Sequence, residues 1–456
     1  MVNKSVFIVS LGCAKNTVDS DGMAQLLIKA GYRLVESAQE AGVLLVNTCG
    51  FIAPARQESY EVLAELAQGK RKNQLLIAAG CLTQRFGQEV VQRIPAIDGI
   101  LGTRRWMDIV EVVEKLRRQE TPKPFYHVPT VPTVGKDEPG AVGATIQGGS
   151  AYLKIGDGCR HPCAFCAIPL IKGTAVSRPL PTLLDEARFL QDQGIKEIVL
   201  ISQDTTDYGH DLGMKDGLAQ LLEKLVKAAP QIRWWRTLYA YPGLVSDRLI
   251  QVMAANPQIL PYLDLPLQHA HPETLKRMHR PANIDHVRKT LEKMRLALPG
   301  LALRTTFIVG YPGETETEFR ALLDFIREMR FDRLGVFQYS FEQGVPAEPL
   351  GDPLPAKVKE SRYQQIMEMQ QSISLAINQT FIGQTLDVLI EGQGDVEDEI
   401  GATAKKACIS LGRSYRDAPE IDGLVLVEGE APVGEIVPVH ITGAMTYDLS
   451  GEMVNC

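Results

Sequence analysis

Three cysteines, Cys159, Cys163 and Cys166, stand in the run Gly-Asp-Gly-Cys-Arg-His-Pro-Cys-Ala-Phe-Cys-Ala-Ile-Pro, directly after an apolar strand pattern. This run constrains the chain more tightly than any other, because three thiols delivered by one strand end point to one inorganic centre. A structural zinc site closes its shell with four thiolate or imidazole ligands, and a 4Fe-4S cluster also takes four. Three cysteines therefore leave one iron open to something else. The competing arrangement is a zinc knuckle completed by His161 or a remote residue, which needs no open position.

At 456 residues the chain exceeds one ordinary core, so two to four domains are expected. A hydrophobic fraction of 45% fits a soluble globular protein. No apolar run approaches the length of a membrane span, and Val6 to Val9 is too short and wrongly flanked for a signal peptide. The expected location is the cytoplasm, with no membrane partner. Eight cysteines in a reducing compartment read as metal ligands or free thiols rather than as a disulfide framework.

Residues 1–118 alternate short apolar runs with helical patterns, an α/β layout of the open parallel-sheet kind. Three β-rich runs, Ser5 to Ser10, Val43 to Asn47 and Leu75 to Ala79, are each followed at once by a cysteine: Cys13, Cys49 and Cys81. In such sheets the ligand crevice lies outside the carboxyl ends of the strands, so three thiols from three loops can converge on one site. Buried structural thiols are the plainer alternative, since free cysteine is among the most buried residues. The shared position after three strand ends favours a second three-cysteine cluster with an open iron.

A stretch from Thr121 to Ser150 holds five Pro and five Gly and reads as a linker, with the domain border at 119–144. Beyond it, over 145–375, six strand-like runs alternate with helices: Ala151 to Ile155, Glu197 to Ser202, Trp234 to Ala240, Tyr262 to Leu267, Ala302 to Val309 and Arg333 to Ser340. They spell a partial (βα)6 parallel barrel, whose active site belongs at the carboxyl ends of its strands. Gln203 and Asp204 end the second strand, and Gln268 and His269 follow the fourth. Arg304 opens the fifth, which ends at Gly310. Polar residues there also cap strands and helices, and Glu314 or Thr315 suits a helix start. Trp234 and Trp235 read as packing rather than as a nucleobase platform.

From 376 to 456, short alternating strands suggest a small antiparallel barrel of the OB-like kind: Leu386 to Ile390, Cys408 to Leu411, Leu424 to Val427, Ile436 to Ile441 and Met445 to Leu449. From residue 376 onward there are fourteen Asp or Glu against four Lys or Arg; the remainder has forty-four basic and forty-one acidic residues. An acidic module repels nucleic acid, whose binding draws on Lys and Arg, and attracts a basic protein instead. Taken alone, the acidic run Asp395 to Glu399 reads as a solvated loop.

The spacing Cys-x3-Cys-x2-Cys, with Phe165 just before the last cysteine, resembles the signature of the radical S-adenosylmethionine (SAM) superfamily. The runs Ser-Leu-Gly-Cys-Ala-Lys-Asn from Ser10, Asn-Thr-Cys-Gly-Phe-Ile from Asn47 and Ala-Gly-Cys-Leu from Ala79 are similar to the N-terminal domain of the methylthiotransferases. The run Gly412 to Gly423 resembles a TRAM domain. Asp19-Ser20 and Pro54 to Ser59 look most like the branch of that family that modifies a ribosomal protein. Ala14 stands where proline is usual, and Lys172-Gly173 where Arg-Gly is usual.

The resemblance covers essentially the whole chain and carries a set of expectations. It implies two 4Fe-4S clusters, an auxiliary one on Cys13, Cys49 and Cys81 and a SAM-binding one on Cys159, Cys163 and Cys166. It implies a contact with the amino group of SAM at Gln203 and Asp204, which leaves Phe165 and the barrel-strand residues Gln268, Arg304 and Gly310 as the further candidate SAM contacts. The implied activity is methylthiolation of an aspartate β-carbon in a basic small-subunit ribosomal protein, uS12. A tRNA adenosine methylthiotransferase is the alternative, disfavoured by the acidic third domain, and a non-catalytic iron-sulfur factor that binds ribosomes is another. An electron donor of the reduced flavodoxin or ferredoxin kind leaves no trace in the sequence, and Cys408 and Cys456 have no derivable role.

Overall fold

Continuous β-branched and aliphatic runs near the amino terminus build a sheet covered on both sides. The computed structural model describes residues 3–120, 123–129, 142–397 and 406–454. Strands β1 (Ser5–Ser10), β2 (Arg33–Leu34), β3 (Val43–Thr48), β4 (Leu75–Gly80), β5 (Gly99–Gly102) and β6 (Phe125–His127) form a parallel sheet in the order β2-β1-β3-β4-β5-β6. β3 and β4 are buried along their whole length, as apolar runs without alternation require. Helices α1 (Ala14–Lys29) and α4 (Ile109–Arg118) seal one face through Met23, Leu27 and Leu116. On the other face, α2 (Ala53–Gly69) and α3 (Cys81–Arg93) pack Leu63, Leu82 and Val90. The chain leaves β1 for β2 on one side and returns to β3 on the other, so the topological switch point lies between β1 and β3.

The Thr121 to Ser150 stretch, expected as linker, contributes two strands. β6 extends the first sheet, and β7 (Ala144–Gln147) pairs antiparallel with β8 (Ser150–Lys154). Pro124 does not prevent this, because β6 is an edge strand and the proline precedes its first residue. Residues 130–141 of the stretch lie outside the described residues.

The central region carries the six expected parallel strands. After β8 comes a small antiparallel pair, β9 (Gly156–Asp157) with β10 (Val176–Ser177), which brackets the loop holding Cys159 to Cys166. The barrel continues through β11 (Glu197–Ile201), β12 (Trp234–Thr237), β13 (Tyr262–Asp264), β14 (Ala302–Val309) and β15 (Arg333–Gln338). It is split into two ladders, which meet through a parallel bridge between Trp235 and Ile259. Around it lie α5 (Ile168–Lys172), α6 (Leu180–Asp192), α7 (Gly217–Ala228), α8 (Asp247–Ala255), α9 (Pro272–Arg277), α10 (Ile284–Ala297), α11 (Glu316–Met329) and α12 (Ala356–Gln379). Thr315 is the N-cap of α11, and its side chain and that of Glu318 exchange bonds with each other's backbone as a capping box. Trp234 and Trp235 are both in the core.

The third region is a closed barrel of β16 (Thr385–Glu397), β17 (Lys406–Ser414), β18 (Val425–Glu428), β19 (Ile436–Ala444) and β20 (Leu449–Met453). Four of its pairings are antiparallel, and β18–β20 is parallel. The last strand starts at Leu449 rather than Met445, because Met445 to Asp448 form a turn: the Met445 N–H bonds the Asp448 carbonyl, and the Asp448 carboxylate accepts from the Leu424 N–H. Asp398, Glu399 and Cys456 lie outside the described residues, while Cys408 sits half-buried on β17.

Buried charge joins the three units. Glu197 on β11 accepts from Arg236 (2.7 Å) and from Arg413 of the third region (2.6 Å), all three sealed from solvent. Arg416 pairs with Asp332 at 2.9 Å, and Tyr262 donates to Asp422 at 2.6 Å. At the other seam, Asp19 on α1 meets Lys154 and Lys172, and both lysines also reach Asp157.

Candidate active site between two cysteine trios

Strand order decides which cysteines can meet. Cys13 is the N-cap of α1 after β1, Cys49 follows β3 directly, and Cys81 is the first residue of α3 after β4. These strands are neighbours in the sheet, so the three loops open at its carboxyl edge beside the switch point. Their approach is tight enough to demand glycine. Gly12 has φ +93°, and a Cβ there would lie 2.9 Å from Cys49 Cβ and 3.0 Å from its Sγ. Asn16 Nδ2 ties the loops by donating to the carbonyls of Leu11 (2.9 Å) and Thr48 (3.2 Å).

Cys159, Cys163 and Cys166 come from the loop bracketed by β9 and β10. Backbone bonds fix it: Cys159 N–H to Gly173 O (3.0 Å), Ala164 N–H to Met278 O (2.9 Å) and Cys166 N–H to Cys163 O (3.1 Å). All six cysteines are free thiols, and all six line one cavity of about 460 Å³ between the sheet and the barrel.

Chemistry and spacing both bear on what this cavity accepts. Among the described residues, no three His, Cys, Asp or Glu side chains converge closely enough to hold a single metal ion. Zinc needs its ligands within about 2.3 Å of one point, whereas each thiolate of a four-iron cluster has its own iron and the sulfurs stand apart. His161 is not a spare ligand: its Nε2 lies 2.6 Å from Asp204 Oδ2 and its ring stacks on Tyr241 at 3.6 Å. Two sets of three thiols with no nearby fourth fit clusters that each keep an open position. Burial pushes the Cys81, Cys159 and Cys166 thiols up to about 12, so a cluster bound there would displace protons.

Of the proposed SAM contacts, Phe165, Gln203, Asp204 and Gln268 line the cavity. Gln203 Oε1 is buried without a hydrogen-bond partner, an acceptor waiting for a donor. The Asp204 carboxylate orients His161 and also accepts from the Thr206 N–H at 2.9 Å. Gln268 holds φ +72° while its backbone bridges to Thr306 and Ile308. Arg304 and Gly310 do not line the cavity. Arg304, near the amino end of β14, pairs with Asp264 (2.8 Å) and Asp422 (3.4 Å). The Gly310 N–H bonds Glu314, and Lys359 carbons fill the side on which a Cβ would point.

Sequence reasoning missed four lining residues of chemical weight: Lys15, Tyr239, Tyr241 and Arg280. The two tyrosines follow the carboxyl end of β12, a position that barrel logic does mark. Arg280 lies in a loop after α9 and carried no signal; it donates to Cys163 Sγ at 3.6 Å and stacks on Tyr241 at 4.4 Å. Lys15 was hidden inside the first cysteine motif.

Fold and site together define a radical SAM protein, and comparison with known sequences agrees. Residues 153–326 match the Radical SAM superfamily, 5–102 the Uncharacterized protein family UPF0004 and 382–454 the TRAM domain. The chain is 48% identical to "Ribosomal protein uS12 methylthiotransferase RimO" of Roseiflexus sp. (strain RS-1), over 98% of this chain and 96% of that protein. It is also 48% identical to the protein of that name in Chloroflexus aurantiacus, over 98% and 99%. Among solved structures, the radical S-adenosylmethionine methyltransferase TsrM from Kitasatospora setae aligns with a TM-score of 0.57 at 13% identity, over 88% of this chain and 78% of that one. The chain belongs to the family of ribosomal protein uS12 methylthiotransferases named RimO.

Proposed function

We propose that this chain adds a methylthio group to the β-carbon of an aspartate in the ribosomal protein uS12, with one 4Fe-4S cluster on each cysteine trio. The observation that carries the reading is the cavity lined by both trios, where a radical source and a sulfur seat would face one substrate. When bound, the clusters and SAM would supply the power to break an unactivated C–H bond and the sulfur that replaces the hydrogen. The protein's own residues place and seclude the reactants. Phe165, Gln203 and Gln268 offer one apolar and two amide contacts on the barrel side, and Arg280 sets a cation beside Cys163. Enclosing the cavity between two domains keeps water from a reactive carbon.

The third region supports a basic protein partner in the cytoplasm. Two of its four basic residues, Arg413 and Arg416, are 1% exposed and spent on seams with the barrel. Outward it presents Glu428, Glu430 and Glu452, all exposed, with Glu428 and Glu452 side by side on β18 and β20. Such a face attracts a basic ribosomal protein and repels tRNA. A reduced flavodoxin or ferredoxin would supply the electron.

The test is anaerobic incubation of the reconstituted enzyme with SAM and dithionite, offered uS12 and tRNA in parallel. Mass spectrometry should show a methylthio mass shift on the uS12 aspartate. A shift on tRNA alone would overturn the substrate, and absence of 5′-deoxyadenosine with intact clusters would overturn the enzyme.

A further inference from the structure

Lys15 is a buried cation of this cavity that makes no ion pair with a carboxylate among the described residues. It lies in the first turn of α1, two residues after Cys13, is 9% exposed, and lines the cavity with all six cysteines. The other lining cations are engaged. Lys172 Nζ donates to Asp19 (2.9 Å) and Asp157 (3.0 Å), His161 pairs with Asp204, and Arg280 bonds Cys163 Sγ and the Pro266 carbonyl. The Nζ of Lys15 instead sits 3.4 Å from the centroid of the Tyr239 ring. Tyr239 is held at φ +62°, an unusual backbone state for a side chain of its size, at the end of a barrel strand. A ring face offsets part of an ammonium's desolvation but gives it no carboxylate in direct contact. An anion entering the cavity completes the site.

We propose that Lys15, seated on Tyr239, binds the side-chain carboxylate of the target aspartate and so fixes the β-carbon between the two trios. The inference rests on the uS12 reading given above. Its geometry follows from bonding: the carboxyl carbon is attached directly to the β-carbon, so a cation that holds the carboxylate also limits where that carbon can lie. Position separates this role from that of SAM. Lys15 projects from the auxiliary-trio domain and meets the barrel at Tyr239, whereas Arg280 is the cation that touches the barrel trio. A cation with no carboxylate in direct contact also discriminates, because asparagine in place of aspartate brings it no charge.

The experiment uses reconstituted holoenzyme with SAM and no reductant. Affinity is measured by fluorescence anisotropy for a uS12 peptide spanning the target aspartate and for the same peptide with asparagine there. Lys15→Met should weaken the aspartate peptide roughly 10- to 100-fold, to the level at which the wild type binds the asparagine peptide. It should leave asparagine-peptide affinity, SAM affinity and iron and sulfide content unchanged, and Lys15→Arg should recover part of the discrimination. Equal weakening of both peptides would overturn the proposal, as would loss of SAM affinity with peptide discrimination intact. A wild type that cleaves SAM yet modifies no aspartate peptide would overturn the uS12 reading beneath it.

Discussion

Replacing Asp19 with asparagine unbalances the charge that joins the auxiliary-trio domain to the barrel. Asp19 is 1% exposed; one carboxylate oxygen accepts from Lys154 and the other from Lys172 at 2.9 Å, while Asp157 takes the same lysines at 3.3 and 3.0 Å. Two lysines and two aspartates cancel, so Asp19→Asn leaves one net positive charge in a sealed seam. Removing one partner of a buried pair costs about 3–5 kcal/mol; because Asp157 stays to share the burden, about 3 kcal/mol is expected, a hundredfold or more in the folding equilibrium. Urea unfolding followed by tryptophan emission measures it, since the Trp106 ring lies 5.6 Å from Lys154 Nζ and reports this seam. Asp19→Asn/Lys154→Met restores neutrality and should regain at least half of the loss. The pH window follows from the partners. Burial opposes the charge on Asp157, but Lys154 and Lys172 hold its carboxyl below the usual range, so its contribution is present above about pH 4 and lost as pH falls. Burial likewise opposes the charge on Lys172, but Asp157 and Asp19 hold it well above the usual amine range, so its contribution is present below about pH 10 and lost in stronger alkali. A loss under about 0.5 kcal/mol, or a double mutant as unstable as the two singles summed, would refute the charge-balance argument.

Cys13, Cys49 and Cys81 replaced together by alanine should halve the bound iron, abolish methylthio transfer and leave 5′-deoxyadenosine formation, read by iron assay and chromatography; unchanged iron sinks the two-cluster count. Glu197→Gln leaves Arg236 without its carboxylate and Arg413 with Glu391 alone, and should cost about 3 kcal/mol, seen as earlier calorimetric melting. Burial alone would raise that carboxyl, but Arg413 and Arg236 bring it down to about 2, so its contribution is full above about pH 4.5 and lost from there to about pH 2. Charge reversal at Glu428 and Glu452, neighbours on β18 and β20, should slow association with uS12 several-fold in low salt, with the difference gone near 0.5 M salt in stopped-flow mixing.

The fold was legible where local pattern and tertiary pairing agree. Ala302 to Val309 appears as β14 without adjustment, because a run rich in β-branched and aromatic residues flanked by helices has one place to go in a parallel sheet. Phe125 to His127 was not legible, because three residues after Pro124 become a strand only when an open sheet edge is there to pair with them. The turn from Met445 to Asp448 escaped for a related reason: its alternation resembles a strand, and the bond from Leu424 to Asp448 that fixes the turn spans twenty-four residues.

At the site, the convergence of six cysteines on one cavity was readable because residue type and strand end are both written in sequence, whereas roles set by a partner on another domain were not. Arg304 illustrates this: it opens a barrel strand as a cofactor contact might, and Asp264 and Asp422 pair with its guanidinium. Asp19-Ser20 shows the reverse. The pair entered as a marker of one branch, and structure gives it two physical tasks. Ser20 Oγ accepts from Asn47 Nδ2 at 2.9 Å and donates to the Asn16 carbonyl at 3.0 Å, tying the first and second cysteine loops. Asp19 ties that assembly to the barrel. Lys172 is one of the two lysines Asp19 meets there, and a compact ammonium can serve two carboxylates at 2.9 and 3.0 Å inside a seam 2% exposed at that side chain. An arginine there would bring a planar fork that prefers one bidentate partner. Lys172 thus helps join the two units that carry the trios.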